Sequence, residues 1–355
     1  MFGILAILGY AITTSIDVGF TNMVAPATNM FPRNTEGSVV ELKDGRLLLA
    51  WTQFYGGTAD NAGAVIAGVT SSDGGRSWSK PFLLQENIGK CNVMSVSLLR
   101  LKSGRIGMFY LVKNSLSDLQ AYARYSSDEG KTWGSPMRIT PDEGYNVMNN
   151  DRVIQLSSGR ILAPIAYTPD ISKPTPAVSF VLYSDDEGRT WKKSSPDIHA
   201  PKRGAMEPGV VELADGRVLM IIRTQTGRIY HTYSCDGGAH WEEARPMGVV
   251  SPESPASIKR IPGTGDLLLV WNNNFEPEKS HGGIRNPLTV GISHDGGKTW
   301  TNIRNIESAP GKSWAYASIL FVGKNVLLTY YETENWTDGL SLKFRSIPLE
   351  WLYQP

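Results

Sequence analysis

The chain has 355 residues, 41% of them hydrophobic and 19% charged, with 36 Gly, 21 Pro, 10 Trp and 14 Tyr, a turn-rich and aromatic-rich profile that excludes a disordered chain and suits strands. Lys and Arg number 35 against 34 Asp and Glu, so no global field holds the protein on nucleic acid or an anionic membrane, and any anion recognition must be local. Cys91 and Cys235 are the only cysteines, too few for a disulfide framework, and both are read as free thiols.

At the N-terminus, Phe2 to Ile12 (FGILAILGYAI) is apolar but shorter than the roughly 20 residues a spanning helix needs, so no membrane span is expected. The stretch has the h-region of a secretory leader without a basic n-region before it. Its alternatives are an N-terminal strand or the remnant of a longer leader. Residues 1–25 are therefore set apart as a possible signal peptide or N-terminal segment. A secreted or periplasmic location is expected, with a cytoplasmic one as the alternative.

Six hairpins follow along the chain: VVELKDGRLLLAW, VSLLRLKSGRIGMFY, DRVIQLSSGRILAPI, GVVELADGRVLMII, SIKRIPGTGDLLLVW and SILFVGKNVLLTYY. Each joins two apolar strands through a tight turn carrying Gly. A second series interleaves with the first five: SSDGGRSW, SSDEGKTW, SDDEGRTW, SCDGGAHW and SHDGGKTW share the form S-x-D-x-G-x-x-W, and their tryptophans Trp78, Trp133, Trp191, Trp241 and Trp300 lie 55, 58, 50 and 59 residues apart. In such a box the Asp and Gly suit a turn that needs local side-chain bonds and positive φ, while the Trp can pack between sheets.

One hairpin pair per period gives a four-stranded unit, and six units that cannot bury both faces alone stack radially. The expectation is an all-β fold, a six-bladed β-propeller with Asp-box repeats, formed as a single domain by residues 26–355. The sixth unit lacks the box. Its YYETENWTDGLSLKFRSIPLEWL can supply one or two outer strands, and a strand from the segment before Arg33 can close the ring.

In a propeller the innermost strands line the axis, so polar groups on or just before the first strand of each hairpin converge at one mouth. These are Arg33 and Glu36, then Asn92, then Asn149, Asn150 and Asp151, then Glu207, Glu253, and finally Trp314 and Tyr316. His199, His231, His240, His281 and His294 are scattered without metal-ligand spacing. No Gly-rich phosphate loop precedes a helix, and no basic aromatic strip is present. No metal, other cofactor or nucleic-acid partner is expected.

With boxes, hairpins and axial polar groups in place, the chain resembles the Asp-box (BNR-repeat) sialidases, or neuraminidases, from about Arg33 to Glu332. The resemblance implies a glycoside hydrolase, an exo-α-sialidase-like enzyme that removes a terminal acidic sugar, sialic acid by default, from a glycan or glycoconjugate. Glu207 opens MEPGVVELADGRVLMIIR and Arg223 closes it, which looks like the family's catalytic glutamate and one of its three carboxylate-binding arginines. RNPLTVGISHDGGKTW offers Arg285 as another arginine. WAYASIL offers Tyr316 as the nucleophile, with Ala317 where a serine is usual. Glu332, after Tyr331, is the implied buttress of an arginine, and FYGGTADNAG offers Asp60 as acid/base.

The start motif departs from the family. Where Arg-Ile-Pro is usual this chain has PRNTEG, and counting back from the turn Gly45 puts Glu36, with Arg33 three residues upstream, nearest the first arginine position. Phe54 stands near the place of a further family arginine.

These residue types suit the implied chemistry. A guanidinium presents paired donors in a plane that matches a carboxylate. A neutral Tyr avoids the like-charge approach that an Asp nucleophile would make toward a sugar carrying its carboxylate on the anomeric carbon, an exception to the two-carboxylate pattern of glycoside hydrolysis. Two alternatives stand beside this reading: a hydrolase or lyase acting on a different sugar, motivated by Glu36, and a non-catalytic glycan-binding propeller.

Overall fold

The computed structural model describes residues 18–354. The apolar stretch Phe2 to Ile12 lies outside them. Six antiparallel four-stranded blades follow one another around the propeller. The first comprises Arg33–Glu41, Leu47–Tyr55, Gly63–Ser71 and Phe82–Gln85, and the fourth comprises Met206–Glu212, Val218–Arg223, Arg228–Ser234 and Arg245–Val250. The second and third blades merge into one nine-stranded sheet where Tyr145 pairs in parallel with Leu119. Second strands such as Leu47–Tyr55 and Ile106–Lys113 are buried almost throughout, because neighbouring blades cover both faces, and this explains their unbroken apolar runs.

The last blade consists of Ser313–Val322, Asn325–Thr333, Ser341–Pro348 and, as its outer strand, Phe20–Ala25. The N-terminal strand thus closes the ring by pairing with the C-terminal one, Phe20 opposite Ser346 and Asn22 opposite Phe344. A boundary at residue 26 would leave this strand outside the propeller, and its ladder to Ser341–Pro348 corrects that division.

The five Asp-boxes are the turns between third and fourth strands. In the second, Ser126 Oγ donates to Asp128 Oδ1 at 2.8 Å and accepts from the Gly130 amide at 2.8 Å, while Asp128 takes the Thr132 amide at 2.9 Å and its hydroxyl at 2.6 Å. The same bonds recur around Asp73, Asp186 and Asp295, and around Asp236 with the His240 imidazole, 2.6 Å from Oδ2, in place of the hydroxyl. The two residues after each Asp sit at positive φ, which Glu129 (64°) and Glu187 (58°) tolerate where the other boxes use Gly. Of the box tryptophans only Trp241 is buried; Trp78, Trp133, Trp191 and Trp300 are half-buried. The sixth blade has no box because its third and fourth strands are not consecutive in sequence, so no turn joins them.

A second repeated device points inward. The first strands slip register between Thr35 and Ser38, between Met94 and Ser97, between Met206 and Gly209, and between Ala315 and Ser318. Inside each bulge one non-glycine residue takes positive φ: Glu36 (59°), Ser95 (57°), Glu207 (39°) and Tyr316 (57°), with Asp151 (56°) at the break in the third blade's first strand. A bulge re-aims a side chain out of the sheet, and bulky residues hold such a backbone only where the surroundings enforce it.

Candidate active site

A cavity of about 760 Å³ opens at this end of the propeller, and Arg33, Glu36, Asp60, Glu207, Arg223, Arg285 and Tyr316 all line it. The structure therefore brings together the acid/base, nucleophile and arginine candidates, while Glu332 and, of the axial polar set, Asn92, Asn150, Asp151, Glu253 and Trp314 do not line the cavity. Beneath the cavity the blades are tied by polar bonds. Asp151 accepts from Ser38 Oγ and the Ile319 amide and pairs with Lys259. Arg152 donates to Ser257 Oγ and the Ala256 carbonyl, and Asn150 donates to the Gly37 and Tyr316 carbonyls. Asn150 and Asp151 thus belong to the floor.

The Tyr316 hydroxyl donates to Glu207 Oε1 at 3.3 Å, and Glu207 Oε2 accepts from Arg223 Nη1 at 2.6 Å. Burial pushes the Tyr316 phenol well up, Glu207 adds to this, and Arg285 and Arg223 oppose it. The phenol is neutral, and its proton already points at a carboxylate that can receive it. Arg285 donates to the Tyr331 hydroxyl at 3.1 Å and stands 5.3 Å from the centre of the Tyr316 ring. No carboxylate among the described residues pairs with Arg285, so its charge is available to a ligand.

Arg33 and Glu36 are both present. Glu36 occupies the bulge position, and Arg33 reaches the cavity from the start of the strand, its guanidinium 4.2 Å above the Phe54 ring. Arg33 Nη2 donates to Glu36 Oε1 at 3.1 Å, and Nη1 donates to Asp60 Oδ1 at 2.5 Å and to the Thr58 carbonyl at 3.1 Å. Burial pushes the Glu36 carboxyl up against the pull of Arg33. The Asp60 side chain is 64% exposed at the cavity mouth; desolvation of its carboxyl by the surrounding wall acts upward, but the charge and hydrogen bond of Arg33 prevail and hold it below its ordinary value. The Asp60 loop follows Gly56 and Gly57, both at positive φ, and is pinned by Asn92, whose Nδ2 donates to the Asp60 and Ala62 carbonyls at 2.9 and 2.8 Å.

Glu332 buttresses no arginine. Its carboxylate takes Lys312 at 3.0 Å, Lys343 at 2.9 Å and the Trp314 indole at 3.0 Å. The neighbouring Tyr331 supports Arg285 instead, and Glu36 stands behind Arg33. One step along a strand moves a side chain to the opposite face, which is the size of the error. Trp314 is likewise fully buried outside the cavity wall.

Glu253, already in the axial set, is buried and receives Arg203 Nη1 at 2.5 Å and His281 Nδ1 at 2.7 Å, with Arg223 Nη2 4.0 Å away. Arg203, in a loop, and His281, in a single 3-10 turn, carry no motif that marks them as contributors. Among the described residues no group of three or more His, Cys, Asp or Glu side chains could hold a metal ion, and no helix is long and apolar enough to cross a membrane. Cys91 and Cys235 are free.

The BNR repeat-like domain family matches residues 45–327. A sialidase from Micromonospora viridifaciens is 26% identical over 368 residues, covering 94% of this chain and 52% of that protein, so the chain spans about half the length of this curated relative. Among solved structures, the NanB sialidase of Streptococcus pneumoniae superposes with a TM-score of 0.73 at 17% identity, over 94% of this chain and 71% of that one. A protein of unknown function from Dyadobacter fermentans superposes with a TM-score of 0.73 at 21% identity, over 92% and 99%. At these identities the structural likeness speaks for the propeller fold.

Proposed function

The chain belongs to the BNR repeat-like domain family, and from that premise we propose that it is a retaining exo-glycosidase acting on a terminal acidic sugar, sialic acid by default, of a glycan or glycoconjugate. One observation carries the reading: the Tyr316 hydroxyl rests on Glu207, 3.3 Å away, inside a cavity that also holds Arg33, Arg223, Arg285 and Asp60. In this reading Arg285, which has no carboxylate of its own, is the main anchor of the sugar carboxylate, with Arg223 and Arg33 beside it. Tyr316 Oη attacks the anomeric carbon as Glu207 takes the phenol proton, and Asp60 protonates the departing oxygen. Asp60 then removes a proton from water, which displaces the tyrosine as Glu207 gives its proton back to the departing phenol oxygen, and the anomeric centre returns to its starting configuration.

A second reading has its own observation. Glu36 occupies the bulge position with its carboxylate against Arg33, and a carboxylate there disfavours a second one, which suits a different sugar.

Both readings are tested by assaying the wild type and Tyr316→Phe on an aryl α-sialoside and on an aryl glycoside lacking the carboxylate. The expected result is cleavage of the sialoside alone. The Phe variant should lose turnover by a factor of about 10³ or more, as when a nucleophile is removed, while keeping its fold and ligand affinity. Cleavage of only the uncharged substrate, or a fully active Phe variant, rejects the tyrosine and arginine assignment.

A further inference from the structure

The cavity has a cationic wall on the side of the third to fifth blades that the proposed chemistry leaves unused: Lys173, Lys202, Arg203 and His281 all line it. Lys202 and Arg203 precede the first strand of the fourth blade on a loop fastened to the third. The Ala177 amide donates to the Arg203 carbonyl at 2.9 Å, and the Ala205 amide donates to the Ala177 carbonyl at 2.8 Å. Between them Gly204 (φ 90°) passes so close that a Cβ there would collide with the Ala177 oxygen. Lys202 takes positive φ (61°), which a residue with a Cβ holds only where its surroundings enforce it, and its Nζ donates to the Gln225 carbonyl at 3.0 Å. Arg203 and His281 are aimed by one carboxylate, that of Glu253, whose side chain has no exposed surface and whose two oxygens take one of them each. The carboxylates that line the cavity are already engaged, Glu207 by Arg223, and Glu36 and Asp60 by Arg33. Among the described residues neither Lys173 nor Lys202 forms an ion pair with a carboxylate, Asp170 near Lys173 being turned to the amide and hydroxyl of Ser172.

We propose that this wall, centred on Lys202 and Arg203, binds a second anionic group, a carboxylate or a sulfate ester, so that the substrate is a doubly charged terminal sugar. The proposal rests on the acidic-sugar reading for its orientation. In a ring of six blades the fourth stands across the axis from the first, which carries Asp60. Asp60 marks the side on which the aglycone leaves. The wall therefore faces the far end of the terminal sugar, where an exocyclic chain reaches furthest from the anomeric carbon. A lysine ammonium is a compact point charge with three donors, and a guanidinium beside it presents a planar pair, so together they match the several oxygens of one anion. A merely solvated rim gains nothing from a carboxylate buried beneath it, because taking that charge out of water is costly. Here the buried Glu253 fixes a guanidinium and an imidazole at the cavity wall.

The test titrates the protein with three ligands: a 2,3-dehydro sialic acid, its sulfate ester at the end of the exocyclic chain, and an analogue whose exocyclic chain ends in a carboxylate. The wild type should bind one or both of the doubly charged ligands about 10-fold or more tighter than the singly charged one, the scale of a charge pair at a partly dried wall. Which of the two gains identifies the group. Lys173→Ala combined with Lys202→Ala should shrink the gain to about 2-fold or less, and Lys202→Glu should invert it, since a like charge then faces the second anion. A lysine with a purely structural role would produce no such reversal. Equal affinity of the wild type for all three ligands, or a gain kept in the paired alanine variant, overturns the proposal. Should the wild type bind none of them, the acidic-sugar reading fails, and sodium sulfate becomes the probe. Slower acetylation of Lys202 by acetic anhydride in sulfate than in sodium chloride of equal ionic strength, read by mass spectrometry, would then still support the anion site, and equal rates would reject it.

Discussion

If the substrate is an acidic sugar, as proposed, Asp60 and the substrate carboxylate compete for one guanidinium. Asp60 is held below its ordinary value by Arg33, hence ionised near neutral pH, whereas a general acid must carry a proton. When a sugar carboxylate takes Arg33 Nη1, Asp60 loses that stabilisation, its pKa rises, and it takes up a proton. Proton uptake on binding means that affinity for an acidic ligand increases as pH falls, in the window between the depressed and the raised pKa of Asp60. Asp60→Asn removes both the competitor and the titrating group. Its affinity for a 2,3-dehydro acidic sugar should be roughly 2- to 5-fold tighter than wild type, a modest gain because the Asp60 side chain is largely exposed. The affinity should also vary less with pH, and turnover should be lost. Titration calorimetry between pH 4 and 7 checks this; weaker binding, or an undiminished pH dependence, contradicts it. At this scale the sequence was informative wherever a residue sits at a fixed offset from a hairpin turn. Glu36 and Glu207 each stand nine residues before their turn glycines, Gly45 and Gly216, whereas Tyr316 stands seven before Gly323 and was marked by the family-like WAYASIL instead. The reach of the Arg33 side chain could not be counted, and neither could Lys202 and Arg203, whose place depends on how a loop is fastened to the third blade.

Among the elements, the Asp-box is the clearest in sequence because one turn, with one set of hydrogen bonds, is repeated in five blades. Each aspartate accepts bonds from its own turn, which hold Asp128, Asp236 and Asp295 at about 2 and push Asp73 and Asp186 lower still, against an ordinary 3.8. A carboxylate whose pKa is depressed by folding contributes stability that is complete above the unfolded value. That contribution is lost as pH falls through the folded one. The five boxes should therefore make the propeller acid-sensitive between 3.8 and about 2. Asp128→Asn should lower the unfolding temperature at pH 6, and the gap from wild type should narrow as pH falls through that window. Thermal melts across the range decide it, a constant gap counting against the turn carboxylate. The same scale accounts for the misassigned Glu332. A strand alternates faces, and the Tyr331-Glu332 pair gives no sign of which member meets Arg285 until the bulge between Ala315 and Ser318 fixes the register with Thr329.

For the whole molecule, the ring depends on a strand that sequence could place only as lying somewhere before Arg33. Phe20–Ala25 is short and only partly buried, so its apolar pattern is weak, and the box that would have marked it is absent for the reason given by the topology. Its hold on the first blade is specific. Asn22 Nδ2 donates to the Gly75 and Arg76 carbonyls at 2.7 and 3.1 Å, and its Oδ1 accepts the Trp78 indole at 3.2 Å. Phe344, opposite Asn22, packs edge-on against Trp78 with ring centres 5.2 Å apart. The last blade is thereby fastened to the first box, and the axial floor beneath the cavity draws on the first, third, fifth and last blades through Ser38, Asp151, Lys259 and Ile319. Opening the ring at its seam should therefore be felt by the entire molecule. Asn22→Ala should cost about 1–3 kcal/mol, two or three modest hydrogen bonds. Thr21→Pro should cost more, because the proline ring fixes φ at about −65°, away from the extended strand geometry. In both variants the near-UV and far-UV signals should melt together at a lower temperature, as one cooperative unit. If instead the strand detaches early while the remaining blades keep the wild-type transition, closure is local, and the cavity would owe its shape to the axial floor alone.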